Sequence, residues 1–419
     1  MCNSQALVRI QKSYCVNRAM KSVPEKLQSR ATSCPLCADK VAPSFFELGG
    51  MPVSIGCQWP STQEARDCAK GDISLSFCPG CGFVWNSAFD PSAMAYNESY
   101  DNSLDHSPVF RRYANNLAAR LVKTYGLRGK EVIEIGCGKG NFLNLLCEAG
   151  CSRGYGFDPS YEPERITGQA SERLSIVGDY YSQKYRDIKG DLVCARHVFE
   201  HIADPISFLE MVRRSIGDRL STVVYFEVPN LRFILDGLSI WDVIYEHCNY
   251  FSVESLGNVF EKCGFEVLRL EASYGDQFIG IEARPSGSNR EKSHGRGNVE
   301  DLRRSVFAFS SHAKNRMQDW RAMLFELRKG SRKAVIWGAG AKAVGFLNML
   351  KIRDEVPYAV DINPHKHGRH LAGTGQEIVP PEFLRQHNPD VVILMNAIYR
   401  EEIAAHLAQL NVDAEIMAA

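Results

Sequence analysis

The stretch EVIEIGCGKGNFLNLLCEAGCSRGYGFD, Glu131 to Asp158, decides the fold. It opens with a short apolar run, Val132 to Ile135, that enters the glycine turn Gly136-Cys-Gly138-Lys-Gly140. Phe142, Leu143, Leu145, Leu146 and Ala149 then recur at helical spacing, and Gly154 to Phe157 form a second strand ending at Asp158. Strand, glycine turn, helix and strand in this order make a βαβ half-unit with an acid where the second strand stops. Glycines at such a turn let the backbone pass close under a nucleoside, and a carboxylate ~20 residues on can accept both ribose hydroxyls.

The glycines read G-x-G-x-G with Asn141 next, not the G-x-G-x-x-G that seats a pyrophosphate on a helix N-terminus. Glu134, two residues before the first glycine, would repel a pyrophosphate but can orient the cationic amino-acid end of S-adenosylmethionine. The pattern E-x-G-x-G-x-G with an acid-ended second strand resembles the class I methyltransferases. The alternative is an ordinary strand-turn-helix of an α/β domain.

Outward from this unit the α/β alternation continues. Leu174 to Val177 reads as a third strand ending at Gly178-Asp179-Tyr180, where an acid can accept the exocyclic amine of adenine. Asp191 to Ala195 is a fourth, opening onto Arg196-His197 and, further on, Glu200-His201. Thr222 to Val228 is a fifth, stopped by Pro229-Asn230. Ligands of open parallel sheets sit beyond the C-terminal strand ends. The expected cofactor site is therefore Glu134, Gly136, Gly138, Gly140, Asp158, Asp179, Tyr180, Arg196 and His197. A lone histidine there is more commonly structural. After the fifth strand, Tyr245-Glu246-His247 supplies titratable groups suited to proton abstraction, with Ser252 as cap of the following helix. Phe265–Leu270 and Gln277–Ala283 read as a closing antiparallel pair.

Before the unit, Cys34-Pro-Leu-Cys37 and Cys78-Pro-Gly-Cys81 are two C-x-x-C knuckles whose four thiolates complete a tetrahedral structural zinc site. Cys57 and Cys68 between them have no pairing spacing. Residues 1–30 are basic and read as a flexible leader; 31–95 are assigned to the zinc module and 96–285 to the core. Between module and core, Tyr96 and Tyr100 either pack a helix face or form a lid whose phenols reach a substrate. Residues 286–330 are linker and a long helix, and 331–419 a smaller Rossmann-like α/β domain. In that domain Gly338-Ala-Gly340-Ala-Lys-Ala343 fits G-x-G-x-x-A with Asp361 downstream. Only half a dinucleotide domain follows, which favours a mononucleotide or nucleotide-sugar cradle over a nicotinamide site.

Lys+Arg and Asp+Glu both number 49, so no basic field points to nucleic acid. No apolar run approaches a membrane span. The 14 cysteines, without a signal-peptide pattern, read as reduced thiols of a cytoplasmic protein.

These parts together resemble the three-part sugar C-methyltransferases of deoxysugar pathways, over roughly residues 34 to 415. The likeness rests on the two knuckles, EIGCGKGNF, HVFEHIADP, YEHCNYFS, WGAGAKAVGFLNML and VDINPHKHGRHLAGTGQEIVPPEFL. It implies a class I methyltransferase core between a zinc module and a Rossmann-like C-terminal domain. It also implies S-adenosylmethionine and structural zinc as cofactors, and methylation of the carbon beside the ketone of a nucleotide-linked keto sugar. His247, in its Glu246-His247 pair, matches the family's base; Tyr245, His201 and Tyr100 stand next in line for proton transfer. The expected partner is a small molecule, neither nucleic acid nor membrane, bound by a monomer or homodimer. An O- or N-methyltransferase is the rival reading, followed by a zinc-ribbon RNA methyltransferase or RNA-binding protein.

Overall fold

A computed structural model describes residues 33–39, 44–94, 104–161, 168–287 and 299–419. The basic N-terminal stretch, Tyr96 and Tyr100 lie outside them. In chain order the strands are β1 (Phe46–Pro52), β2 (Lys70–Phe77), β3 (Val84–Asn86), β4 (Glu131–Ile135), β5 (Arg153–Phe157), β6 (Leu174–Val177), β7 (Leu192–Arg196) and β8 (Val223–Pro229). Then come β9 (Asn249–Tyr250), β10 (Phe265–Ser273), β11 (Phe278–Pro285), β12 (Ala334–Trp337), β13 (Tyr358–Val360), β14 (Glu377–Val379), β15 (Val391–Leu394) and β16 (Glu415–Ala418).

The central sheet runs β10-β11-β8-β7-β4-β5-β6. β4 is flanked in parallel by β5 and β7, while β11 inserts antiparallel between β8 and β10. Chain order reverses beside β4, which makes its C-terminal end the topological switch point where a ligand crevice opens. Alternation along β4 feeds two cores, with Val132 packed on one face and Ile133 and Ile135 on the other. This is the class I methyltransferase architecture, with the closing antiparallel pair expected from the sequence.

A second sheet, β1-β2-β3-β9, combines three strands of the N-terminal module with β9, which belongs to the segment after β8. A third, β14-β13-β12-β15-β16, is parallel throughout and forms the C-terminal α/β unit. The three units share a core. Ile73 and Leu75 of β2, Trp241, Phe309 and Trp320 of the helix Val299–Lys329, and Phe346 and Ile393 of the last unit belong to one buried cluster. Gly345, on the helix Ala341–Leu350, fits so tightly that a Cβ would stand 2.7 Å from the Trp241 carbonyl oxygen. Among the described residues no helix is long and apolar enough to cross a membrane.

Candidate active site

β4 delivers the chain into the glycine turn with Gly136, Gly138 and Gly140 all at positive φ, a conformation that strains residues bearing a Cβ. At Gly136 a Cβ would come within 2.2 Å of Val198 Cγ2. At Gly138 it would stand in open space, so the bare backbone faces the crevice, and the Gly138 N–H donates to Asp158 Oδ2 at 2.8 Å. Asp158 Oδ1 accepts from the Ser160 amide and hydroxyl at 2.8 and 2.6 Å, which fixes its carboxylate at the end of β5. Gly140 differs. It starts the helix Asn141–Glu148 and faces β6, where a Cβ would lie 2.6 Å from Ile176 Cδ1. Close packing between helix and strand, together with the positive φ, requires glycine there.

The crevice is a cavity of about 820 Å³ lined by Glu134, Asp158, His201 and His247 on one side and by Gly338 and Lys342 on the other. Glu134 is 3% exposed and its Oε2 has no hydrogen-bond partner among the described residues. Burial raises its carboxyl from the ordinary 4.5 to about 8. An orphaned acid above a bare glycine turn fits the cationic end and ribose of S-adenosylmethionine. Tyr180, exposed at the mouth, also lines the cavity.

Arg196 lines the cavity but spends its guanidinium on Glu227, at 3.0 Å from Nε and 2.8 Å from Nη2 to Oε1, while stacking over Phe142. Glu227 also accepts from Tyr113 and, at 2.8 Å, from Tyr225. Its burial works against ionisation, yet Arg196, His197 and Tyr113 outweigh that and hold it low. His197 has φ 54°, with Nδ1 3.5 Å from Glu200 and Nε2 3.3 Å from Glu227. Burial opposes its charge, but the two carboxylates prevail and raise it to about 9, so it is a cation at neutral pH. Neither glutamate was singled out from sequence. Glu227 sits in an apolar strand as Glu134 does, and the same reasoning applied to VVYFEVP finds it.

Four expectations move. The Asp179 carboxylate accepts from Tyr185 at 2.6 Å, pairs with Lys184 and is not among the residues that line the cavity. Lys184 and Tyr185 hold it at about 2. Tyr245 points into the N-terminal module, its hydroxyl accepting from the Asp90 N–H at 3.0 Å and its ring against Phe89. Glu246 is 1% exposed and turned the same way: its Oε1 accepts from the Ile55 amide at 2.6 Å and the Gly56 amide at 3.3 Å. The cause is β9, which hands this segment to the N-terminal sheet. With Gly140, these residues are absent from the cavity lining. Tyr100 is outside the described residues.

His247 and His201 do face the cavity, with ring centroids 5.0 Å apart and edge to face. His201 Nδ1 lies 2.9 Å from the Glu246 carbonyl oxygen, so that nitrogen carries a proton and donates it there. Burial, reinforced by His201, pushes His247 down to about 3, leaving it neutral. Opposite stands the C-terminal turn. The Ala339 N–H donates to Asp361 Oδ2 at 2.9 Å, repeating the Gly138–Asp158 contact. Lys342 reaches Asp242 at 3.0 Å, and Asn396 donates to Gln277 at 2.6 Å.

The cysteines of the two knuckles also converge. Cys34 and Cys81 sulfurs are 3.6 Å apart, Cys37 and Cys78 sulfurs 3.4 Å, and all four lie within 4.8 Å of one another.

Residues 107–270 match the methyltransferase domain model, and residues 289–415 match the C-methyltransferase C-terminal domain model. The chain belongs to the S-adenosylmethionine-dependent C-methyltransferases. It is 25% identical to the C-methyltransferase NovU of Streptomyces niveus over 313 residues, 70% of this chain and 72% of that protein. A ubiquinone biosynthesis O-methyltransferase of Actinobacillus pleuropneumoniae is 28% identical over 118 residues, 26% of this chain and 49% of that one. Among solved structures, magnesium protoporphyrin IX methyltransferase of Synechocystis PCC 6803 with bound SAM aligns at TM-score 0.31 and 16% identity, covering 42% of this chain and 80% of that one. In this C-methyltransferase the family's C-terminal domain forms a wall of the same cavity that the glycine turn of β4 opens into.

Proposed function

We propose that the enzyme methylates the carbon α to the ketone of a nucleotide-linked deoxy-keto sugar, with His247 as the base that makes the carbon nucleophilic. The observation that carries this reading is the shared cavity: the imidazoles of His201 and His247 line it together with the cofactor turn and with a second glycine turn from the C-terminal unit. The second turn, with Lys342 beside it, suits the nucleotide end of an extended substrate and leaves the sugar at the histidines. His247 takes the α-proton while its carbonyl-anchored neighbour His201 keeps a fixed tautomer. Glu134, Gly138 and Asp158 orient the methyl donor, and the enclosing walls exclude water and hold carbon and methyl in near-attack contact. S-adenosylmethionine supplies an electrophilic methyl group.

The cysteine cluster is proposed as a structural zinc site. A tetrahedral ion with Zn–S near 2.3 Å sets its sulfurs about 3.8 Å apart, close to the spacing seen, and four thiolates leave no open position for chemistry. This module supports the active site directly, since its Ile55 and Gly56 amides hold Glu246 beside His247.

The reading is tested by incubating the protein with methyl-¹³C S-adenosylmethionine and nucleotide-linked keto sugars, and locating the label by two-dimensional NMR. A carbon-bound methyl next to the carbonyl is expected. A methyl on oxygen or nitrogen would refute carbon methylation and restore the rival reading.

A further inference from the structure

Glu246 is adjacent to His247 in sequence but is spent on the N-terminal module, which leaves open which group supports the imidazole. The turn after β7 supplies one. Glu200 is 1% exposed, yet neither carboxylate oxygen has a hydrogen-bond partner among the described residues. It lines the catalytic cavity, and its donor atom lies within 4.8 Å of one nitrogen each of His201 and His247. The buried His247 Nδ1 is likewise without a hydrogen-bond partner among the described residues. On its far side Glu200 Oε1 is 3.5 Å from His197 Nδ1, itself held by Glu227. The turn is locked beneath by stacked Phe199 and Phe251 rings and by Cys248 Sγ, 3.3 Å from the Glu200 carbonyl oxygen. The His197 cation offsets the charge of Glu200 on that side, yet its buried oxygens still lack a hydrogen bond among the described residues, which leaves acceptor capacity toward the cavity side where His247 stands.

We propose that Glu200 is the positioning residue of the base, the carboxylate that pairs with His247 as its imidazole becomes a cation. This rests on His247 acting as base. As the α C–H bond breaks, an N–H bond forms on His247 and the C–H electron pair passes into the enolate, whose charge ends on the ketone oxygen. Glu200 stays ionised throughout, held so by the cation of His197. The titratable groups acting on His247 are Glu200, His201 and His197 from the β7 turn and Tyr250 from its own segment. Glu200 is the negative one. It favours the protonated imidazole against burial and against its two histidine neighbours. Glu200 thus offsets part of the burial that holds His247 low and is the carboxylate placed to pair with it once it carries a proton.

The test is the pH profile of substrate α-proton exchange with deuterium, measured without methyl donor on the full chain bearing Glu200→Gln, Glu200→Asp or His247→Ala. Glu200→Gln should slow exchange by about tenfold or more. It should also move the rising limb to lower pH by about 1 unit or more, since removing an opposite charge weakens the base. Glu200→Asp keeps the charge and should return the limb toward the wild-type position, which separates electrostatic support from a packing defect. S-adenosylmethionine affinity should stay within about twofold in both. Profiles of Glu200→Gln and wild type that superimpose would overturn the pairing while leaving His247 as base. Undiminished exchange in His247→Ala would overturn both. Exchange that rises with added Mn²⁺ in wild type and not in Glu200→Gln would overturn the pairing in favour of a metal centre on the same three side chains. Should Glu200→Gln fail to fold, ¹⁵N shifts of His247 in wild type with a bound keto sugar decide. A titration midpoint no higher than in the free protein would sink the proposal, and a rise of about 1 unit or more would support it.

Discussion

As the proposed partner of the methyl donor's amino group, Glu134 should link cofactor binding to proton release, and the size of that release follows from its burial. The carboxyl stands at about 8 because it is desolvated, and the Arg196 charge only partly offsets this. At pH 7 such a group is roughly nine-tenths protonated. Ionising it there costs about 1.4 kcal/mol, against about 1.5–3 kcal/mol for a charge-assisted hydrogen bond to the donor's cationic amino group. The bond lowers the bound-state value to about 6–7, so ionisation is favoured and binding should expel about 0.5–0.9 proton. The ligand's own amino group, with pKa near 8, takes back about 0.1. Calorimetry at pH 7 in buffers of differing ionisation enthalpy should report a net release of about 0.4–0.8 proton per cofactor, absent in Glu134→Gln. The sign extends to stability. A folded-state value above the ordinary one contributes stability at acid pH that is lost as pH rises through about 8, so wild-type apoprotein should lose more Tm between pH 7 and 9 than Glu134→Gln does. Binding enthalpies independent of buffer, or equal proton release in the variant, would refute the reasoning.

Cys78→Ser should lower zinc content below one ion per chain and reduce thermal stability, as metal analysis and calorimetry would show; an unchanged Tm and metal content would remove the site. Asp158→Ala should weaken S-adenosylmethionine by about 1.5–3 kcal/mol, since its carboxylate holds the glycine turn and is the proposed acceptor for the ribose; titration calorimetry giving unchanged affinity would exclude it. Gly345→Ala places a methyl 2.7 Å from the Trp241 carbonyl and should cost about 1–3 kcal/mol of stability in denaturant unfolding, because that contact joins the C-terminal unit to the rest.

Local patterns carried most of the fold. The apolar runs ending at Ile135, Phe157 and Val177 became adjacent parallel strands because each pairs with the next along the chain, and the run ending at Ala195 crosses back to pair with the first. The helix Val299–Lys329 was likewise legible from its spacing. What stayed hidden depends on long-range contacts. The strand Asn249–Tyr250 joins Val84 and Trp85 across more than a hundred residues, and this alone turns Tyr245 and Glu246 away from the cavity while His247 faces it. Asp179 sits at a strand end as expected, but Lys184 and Tyr185 a few residues on capture its carboxylate. The reason for glycine at position 140 was packing against Ile176, which the turn pattern does not distinguish from ligand contact. Glu200 and Glu227 were overlooked because their apolar neighbours Phe199, Phe226 and Val228 read as core.

The central claim is that His247 removes a proton from carbon before any methyl moves. Its most direct measurement is substrate α-proton exchange in D₂O, followed by ¹H NMR with wild type and His247→Ala in the absence of S-adenosylmethionine. Wild type should exchange the proton beside the ketone, and the variant should do so slower by a factor on the order of 10²–10⁴ while binding the cofactor normally. Exchange at equal rates in the two proteins, or none in wild type under conditions where it methylates the sugar, would contradict the account.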